Sequence, residues 1–153
     1  MRYIVSAVLI LIVSLSMLGC SPKTAEIVFQ LPFDVEKIVQ IEMYHYVIPA
    51  SAEKKIVTET SDIHAVYDLL SGLTLTNQTT EAVAGSNVTS LRFHLTDETV
   101  YELIYISEAV KQGRLQSPTD NFDCFTSADL GSIWNDTNCE AVMVDERELP
   151  AFG

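Results

Sequence analysis

The sequence predicts an α+β fold: a mostly antiparallel sheet with one main helix at about residues 61–72 and a short C-terminal helix at about 127–134. Two observations lead to this prediction. Several segments alternate apolar and polar residues, as half-buried strands do. Two other segments space their apolar residues three and four positions apart, as amphipathic helices do. Together these patterns indicate a single globular domain over residues 36–144.

The first predicted strands lie at residues 38–48 and 54–58. In the longer strand His45 falls on the apolar face, and Tyr44 and Tyr46 fall on the opposite face. Paired tyrosines on a sheet can bind a peptide or a glycan, although they more often pack under a second layer or a loop. Tyr44 and Tyr46 are therefore candidates for a ligand surface, with packing as the alternative.

The main helix follows these strands. Thr60, Ser61 and Asp62 provide oxygens that favour a helix start, and Asp62 suits the positive end of the helix dipole. An apolar stripe with helical spacing then predicts the buried face of the helix: Ile63, Val66, Tyr67, Leu70 and Leu73. Gly72 stands where a C-terminal stop is expected.

A β-hairpin is predicted next. Residues 88–95 and 100–106 alternate apolar and polar side chains on either side of a polar turn. Arg92 and His94 share the polar face of the first hairpin strand, so they join the candidate ligand surface, with a solvated sheet face as the alternative. The polar segment 74–86 before the hairpin is predicted to be a loop, and a further short strand is predicted around residues 114–116.

The C-terminal region carries the second helix signal. Thr126-Ser127-Ala128-Asp129 resembles a capping box in which Asp replaces the usual Glu or Gln. An apolar stripe follows and completes the predicted helix: Leu130, Ile133 and Trp134. A terminal strand is predicted at residues 140–144, and an acidic tail at residues 145–153.

Residues 1–19 have the features of a bacterial signal peptide. Arg2 precedes an apolar run over residues 3–18. As a helix this run would reach roughly 24 Å, short of the roughly 30 Å hydrocarbon core of a bilayer. It ends in Met17-Leu18-Gly19-Cys20, which resembles the bacterial lipobox, where the cysteine receives lipid such as diacylglycerol and palmitate.

The lipobox resemblance predicts cleavage before Cys20, lipid on Cys20 and a short tether over residues 20–35. The alternatives are a plain secretory signal cut after Ser16 and an uncleaved membrane anchor. Three cysteines are an odd number for an oxidising compartment. Lipid on Cys20 leaves Cys124 and Cys139 as a candidate disulfide, with two buried thiols as the alternative.

Charge limits the partners of the domain. The chain has 9 Lys+Arg and 21 Asp+Glu, and removal of the leader with Arg2 changes its formal charge from −12 to −13. Nucleic acid and anionic head groups would repel such a domain. The sequence therefore predicts no nucleic-acid partner, and attachment to the membrane through the lipid on Cys20.

The residues carry no recognised catalytic, metal or cofactor motif. His45, His64 and His94 are not at the spacing of metal ligands, and no Gly-x-Ser-x-Gly motif positions a serine nucleophile. His45 is expected as a histidine of the core or sheet edge. The sequence thus predicts no catalytic residue, no metal and no cofactor.

The pattern of elements resembles a family of small Firmicutes lipoproteins that carry a domain of unknown function. The resemblance rests on the leader, on KIVQIEMYHY, TSDIHAVYDLL and SLRFHLTDETVYELIYI, and on FTSADLGSIW near the end. It spans roughly residues 36–135 and consists of apolar spacing. It implies the architecture and the lipid anchor, and it supplies no catalytic residue.

Three functions are consistent with these features. The first is a non-catalytic lipoprotein on the extracytoplasmic face of the cell membrane, with a binding or accessory role and a protein, peptide or glycan as its unknown ligand. The second is an inhibitor or immunity-type lipoprotein that captures a cationic peptide, because the acidic domain would attract it. The third is an envelope hydrolase whose residues meet only in the fold.

Overall fold

The computed structural model describes residues 25–80, 83–109 and 111–151, so the predicted leader and Cys20 lie outside the described residues. Nine strands in this part of the chain form one sheet, and every neighbouring pair is antiparallel. The strands are β1 Glu26–Val28, β2 Ile38–Tyr46, β3 Glu53–Val57, β4 Thr74–Thr76, β5 Val88–Leu95, β6 Val100–Ala109, β7 Gln112–Ser117, β8 Phe122–Thr126 and β9 Val142–Met143.

The strand order is β1-β4-β8-β7-β6-β5-β2-β3-β9. The four strands from β5 to β8 follow one another in sequence and in space, so short turns connect them. Glu98, Lys111 and Asn121 lie in or beside those turns with positive φ angles of 67°, 61° and 53°. A left-handed residue in each tight connection lets the chain reverse without breaking the ladder.

Two α-helices accompany the sheet in the described residues: α1 Thr60–Leu70 and α2 Ser132–Asp136. The first lies where the sequence predicts the main helix and buries Ile63, Val66 and Leu70. Gly72, just beyond its end, has a φ of +84°. A side chain would be strained in that conformation, so glycine suits the stop.

The predicted α+β class is wrong, because the fold is largely β. The two α-helices have only 11 and 5 residues, whereas the sheet has nine strands in the described part of the chain. The sequence did not indicate β1, β4 and β8, and β4 lies within the predicted loop at residues 74–86. The first two have three residues each, too few to show an alternating pattern, and they form through pairing with distant parts of the chain.

The predicted helix at about 127–134 is displaced. Thr126 Oγ1 does accept a hydrogen bond from the Ala128 backbone N–H at 3.2 Å, but this bond turns the chain at the end of β8. The helix starts later, at Ser132. The predicted apolar stripe nevertheless packs inward, with Leu130, Ile133 and Trp134 all buried.

The sheet has two faces of different character. On the helix-covered face, α1 and α2 pack against the main core, which contains Ile41, Met43, Leu91, Phe93 and Leu103. Three residues of the predicted tether also pack in this core: Phe29, Leu31 and Phe33. The packed domain therefore includes part of the predicted tether.

The opposite face carries a smaller apolar cluster of Tyr46, Ala52, Val88 and Ile104. Val144 and Leu149 pack against it from the C-terminal segment. The predicted acidic tail thus contributes a 3-10 helix, Glu146–Glu148, and a covering side chain to the domain. Its acidic residues stay exposed while Leu149 is half-buried.

Candidate functional site

Strand register brings most of the predicted ligand-surface residues together on the opposite face. Arg92 on β5 stands between Glu42 on β2 and Glu102 on β6. Tyr44 and His94 are two residues further along their strands, so their side chains project from the same face. We call Glu42, Tyr44, Arg92, His94 and Glu102 the Arg92 cluster.

Arg92 is the centre of this cluster. Its Nε donates to Glu102 Oε1 at 2.7 Å, and its Nη1 donates to Glu42 Oε2 at 3.1 Å and to the Tyr44 hydroxyl at 2.7 Å. The Tyr44 hydroxyl in turn donates to Glu42 Oε2 at 2.7 Å. The guanidinium also lies over the Tyr44 ring, 5.3 Å from its centroid. One cation is therefore held between two carboxylates and an aromatic ring.

The cluster changes the acidity of its members. Burial alone would raise the pKa of Glu42, but the hydrogen bonds from Tyr44 and Arg92 and the nearby His94 outweigh it, so that pKa is lowered. Burial and the bond to Glu42 raise the pKa of Tyr44. Burial would lower the pKa of Arg92, but the bond to Glu102 prevails and raises it. The charged carboxylate and guanidinium and the neutral phenol are thus the favoured forms.

His94 occupies the margin of the cluster. Its Nε2 lies 3.5 Å from Glu42 Oε2, and this nitrogen has no hydrogen bond to any described residue. The ring is about one-third exposed.

Tyr46 does not take part in the Arg92 cluster. It is 4% exposed and lies in the smaller apolar cluster beneath the C-terminal segment. Tyr44 is fully buried. The structure therefore places both tyrosines under covering side chains, which is the packing alternative, and leaves Arg92 and His94 nearer the surface.

Cys124 and Cys139 are both free thiols. Each is half-buried against the main core, Cys124 from β8 opposite Leu115 and Cys139 from the segment after α2. The predicted disulfide is absent from the structure. Burial, together with the charge of Asp123, raises the pKa of Cys124, which disfavours its thiolate.

His45 lies at the edge of the core, as the sequence predicts. Its ring stacks on Trp134 with 5.4 Å between centroids, and its Nδ1 lies 3.1 Å from Thr89 Oγ1. Burial lowers its pKa, which favours the neutral ring.

Beneath the indole, Lys55 Nζ donates to the backbone carbonyls of Trp134 and Thr137 at 2.6 and 2.8 Å, fixing the end of α2.

Comparison with known proteins finds no match: no protein-family model, no curated protein and no solved structure is significantly similar to this chain. The resemblance to small lipoproteins therefore stays a prediction. Among the residues that the structure describes, no helix is long and apolar enough to cross a membrane. In the same residues, no three His, Cys, Asp or Glu side chains are grouped to hold a metal ion.

The sequence patterns alone do not single out Glu42 and Glu102 as members of the Arg92 cluster. Both were simply polar positions on alternating strands. The signal that indicates them is register: once β5 and β6 form a hairpin, Arg92 must face Glu102, and pairing with β2 adds Glu42. The position of Glu102 opposite Arg92 follows from the β5–β6 turn, whereas the position of Glu42 depends on the non-local pairing of β2 with β5.

Proposed function

We propose that this chain is a lipid-anchored protein on the extracytoplasmic face of the cell membrane, whose domain binds a partner and catalyses no reaction. The observation that carries the proposal is the leader ending in Met17-Leu18-Gly19-Cys20. Lipid on Cys20 would hold the acidic domain at a membrane whose anionic head groups repel it.

The position of the first strand supports a short anchor. β1 begins at Glu26, six residues after Cys20. Six residues span at most roughly 22 Å when fully extended. The domain would therefore lie directly at the membrane surface, where it meets molecules that approach the cell envelope.

The distribution of positive charge favours a second, more specific candidate, the capture of a cationic peptide. Lys54, Arg92, Arg114 and Arg147 form ion pairs with carboxylates of the domain. Lys55 is buried against backbone carbonyls. Because these cations are committed within the domain, most of its acidic side chains remain uncompensated at the surface. Their field would concentrate cationic partners.

The hydrolase alternative lacks such support. General acid/base catalysis needs a nucleophile beside a base, with room for a substrate. In the Arg92 cluster the two carboxylates and the phenol are bonded to Arg92 or to each other. No observation on the described residues favours this hypothesis over binding.

The anchor is tested by metabolic labelling of cells that express the full chain, with an alkyne-bearing fatty acid as the probe. We expect label on the wild type and on Cys139→Ser, and none on Cys20→Ser. The matched cysteine variant shows that label depends on position and not on cysteine content. An unlabelled wild type, or equal label on Cys20→Ser, would contradict the proposed anchor.

A further inference from the structure

A groove separates α1 from α2 on the outer side of the helix-covered face. Its apolar floor is formed by Ala65, Val66, Leu69 and Ile133, and its polar lining residues are Asp62, Asp136 and Thr137. Leu69 is 43% exposed although it is a large aliphatic residue, while Val66 and Ile133 connect the floor to the main core. The groove thus presents a small apolar surface that the other described residues leave open to solvent.

The volume of the groove is about 180 Å³. An apolar cavity of about 150 Å³ can hold a benzene molecule. The groove therefore has room for a side chain of the size of leucine or phenylalanine, presented by a partner.

Two carboxylates border this apolar floor. Asp62 stands in the first turn of α1, and Asp136 is the last residue of α2. Neither is in an ion pair with any described residue, in contrast to the carboxylates around Arg92. An apolar floor between two unpaired negative charges complements an apolar side chain flanked by positive charges.

We propose that this groove docks a cationic amphipathic peptide. An apolar side chain of the peptide packs on Leu69 and its neighbours, and lysine or arginine side chains on either side pair with Asp62 and Asp136. This inference rests on the proposed function as a binding protein. Charge steers the encounter, and burial of the apolar side chain holds the complex.

The test is a titration of the full chain, kept in an uncharged detergent, into a dye-labelled twelve-residue peptide of leucine and lysine, followed by fluorescence anisotropy. We expect saturable binding that weakens as salt rises. Replacing every lysine by glutamate, or every leucine by serine, should abolish it. Asp62→Asn with Asp136→Asn should weaken binding about tenfold, because two partly exposed charge pairs are lost.

Two control variants locate the site: His64→Phe is the control for Ala65→Phe, and Asp68→Asn is the control for the double aspartate variant. Ala65→Phe fills the groove and should abolish binding, whereas His64→Phe adds the same ring at a neighbouring exposed position outside the groove. Asp68→Asn removes a carboxylate of α1 that does not line the groove, and like His64→Phe it should bind the peptide as the wild type does.

Several results would overturn the proposal. If Ala65→Phe and the double aspartate variant bind like the wild type, the groove is not the site. If the lysine-free peptide binds equally well, the partner is not cationic. If the chain forms a dimer that Ala65→Phe dissociates, a second copy occupies the groove. Failure of lipid labelling at Cys20 would contradict the anchor alone, because the titration does not depend on it.

Discussion

The same strands form both faces of the sheet, but different interactions stabilise the two faces. Phe93 and Leu103 point into the main core beneath α1, and their chain neighbours Arg92 and Glu102 point to the opposite face. On one face stability comes from apolar area removed from water, which tolerates many arrangements. On the other, the Arg92 cluster pairs its charges with each other beside the smaller apolar cluster, and such pairs depend strongly on their geometry. We therefore expect the main core to contribute most of the stability of the domain, and the Arg92 cluster a smaller part that depends on its geometry.

The largest expected effect is on the apolar face. Phe93 is fully buried at the centre of the main core and packs near the rings of Phe33 and Tyr101. Phe93→Ala should lower the free energy of unfolding by about 3–5 kcal/mol, because it leaves a cavity. Urea denaturation followed by circular dichroism measures this loss. Val100→Ala, at an exposed position on β6, should cost less than about 0.5 kcal/mol, and equal losses would contradict the comparison.

An intermediate effect is expected on the charged face. Arg92→Met would leave the carboxylates of Glu42 and Glu102, both mostly shielded from water, without their shared cation. We expect a loss of about 2 kcal/mol, since the cluster is only partly buried. Arg147→Met is the matched control, because Arg147 and its partner Asp145 are largely exposed and their pair should contribute less than about 1 kcal/mol. Similar losses of stability in both variants would show that the Arg92 cluster contributes no more than an exposed ion pair.

The smallest effect concerns pH. The folded pKa of Glu42 lies below its ordinary value of 4.5, so in that window the unfolded chain binds more protons than the folded one. The stabilisation by Glu42 is therefore complete above pH 4.5 and is lost as the pH falls through the folded pKa. The difference in unfolding free energy between wild type and Glu42→Gln should shrink between pH 6 and about pH 3. A difference that stays constant over this range would rule out the lowered pKa.

Sequence patterns predict this fold most accurately where its structure depends on local contacts. The apolar stripe from Ile63 to Leu70 forms α1, and the alternation in residues 88–95 and 100–106 forms the β5–β6 hairpin. Both depend on contacts within or between neighbouring segments, which periodicity reports directly. The expected strand after the hairpin is also present, as β7.

The remaining features depend on distant contacts. β4 has three residues, and pairing with β1 and β8 makes it a strand. Thr126 to Asp129 matches a helix cap in composition, but its first residue ends β8, so the motif closes a turn instead. The groove requires α1 and α2 to flank one apolar floor although about 60 residues of chain separate them. Local sequence patterns contain no information about which distant segments come into contact.

One measurement tests most directly whether paired charges stabilise the domain while unpaired charges bind its partner. Unfolding free energy and affinity for the leucine-lysine peptide are both determined for Arg92→Met and for the double variant Asp62→Asn, Asp136→Asn. We expect Arg92→Met to lose about 2 kcal/mol of stability and to keep wild-type affinity at a temperature where it is folded. We expect the double variant to stay within about 1 kcal/mol of the wild type and to lose affinity about tenfold. A loss of affinity in Arg92→Met, or unchanged affinity in the double variant, would contradict this division between stabilising and binding charges.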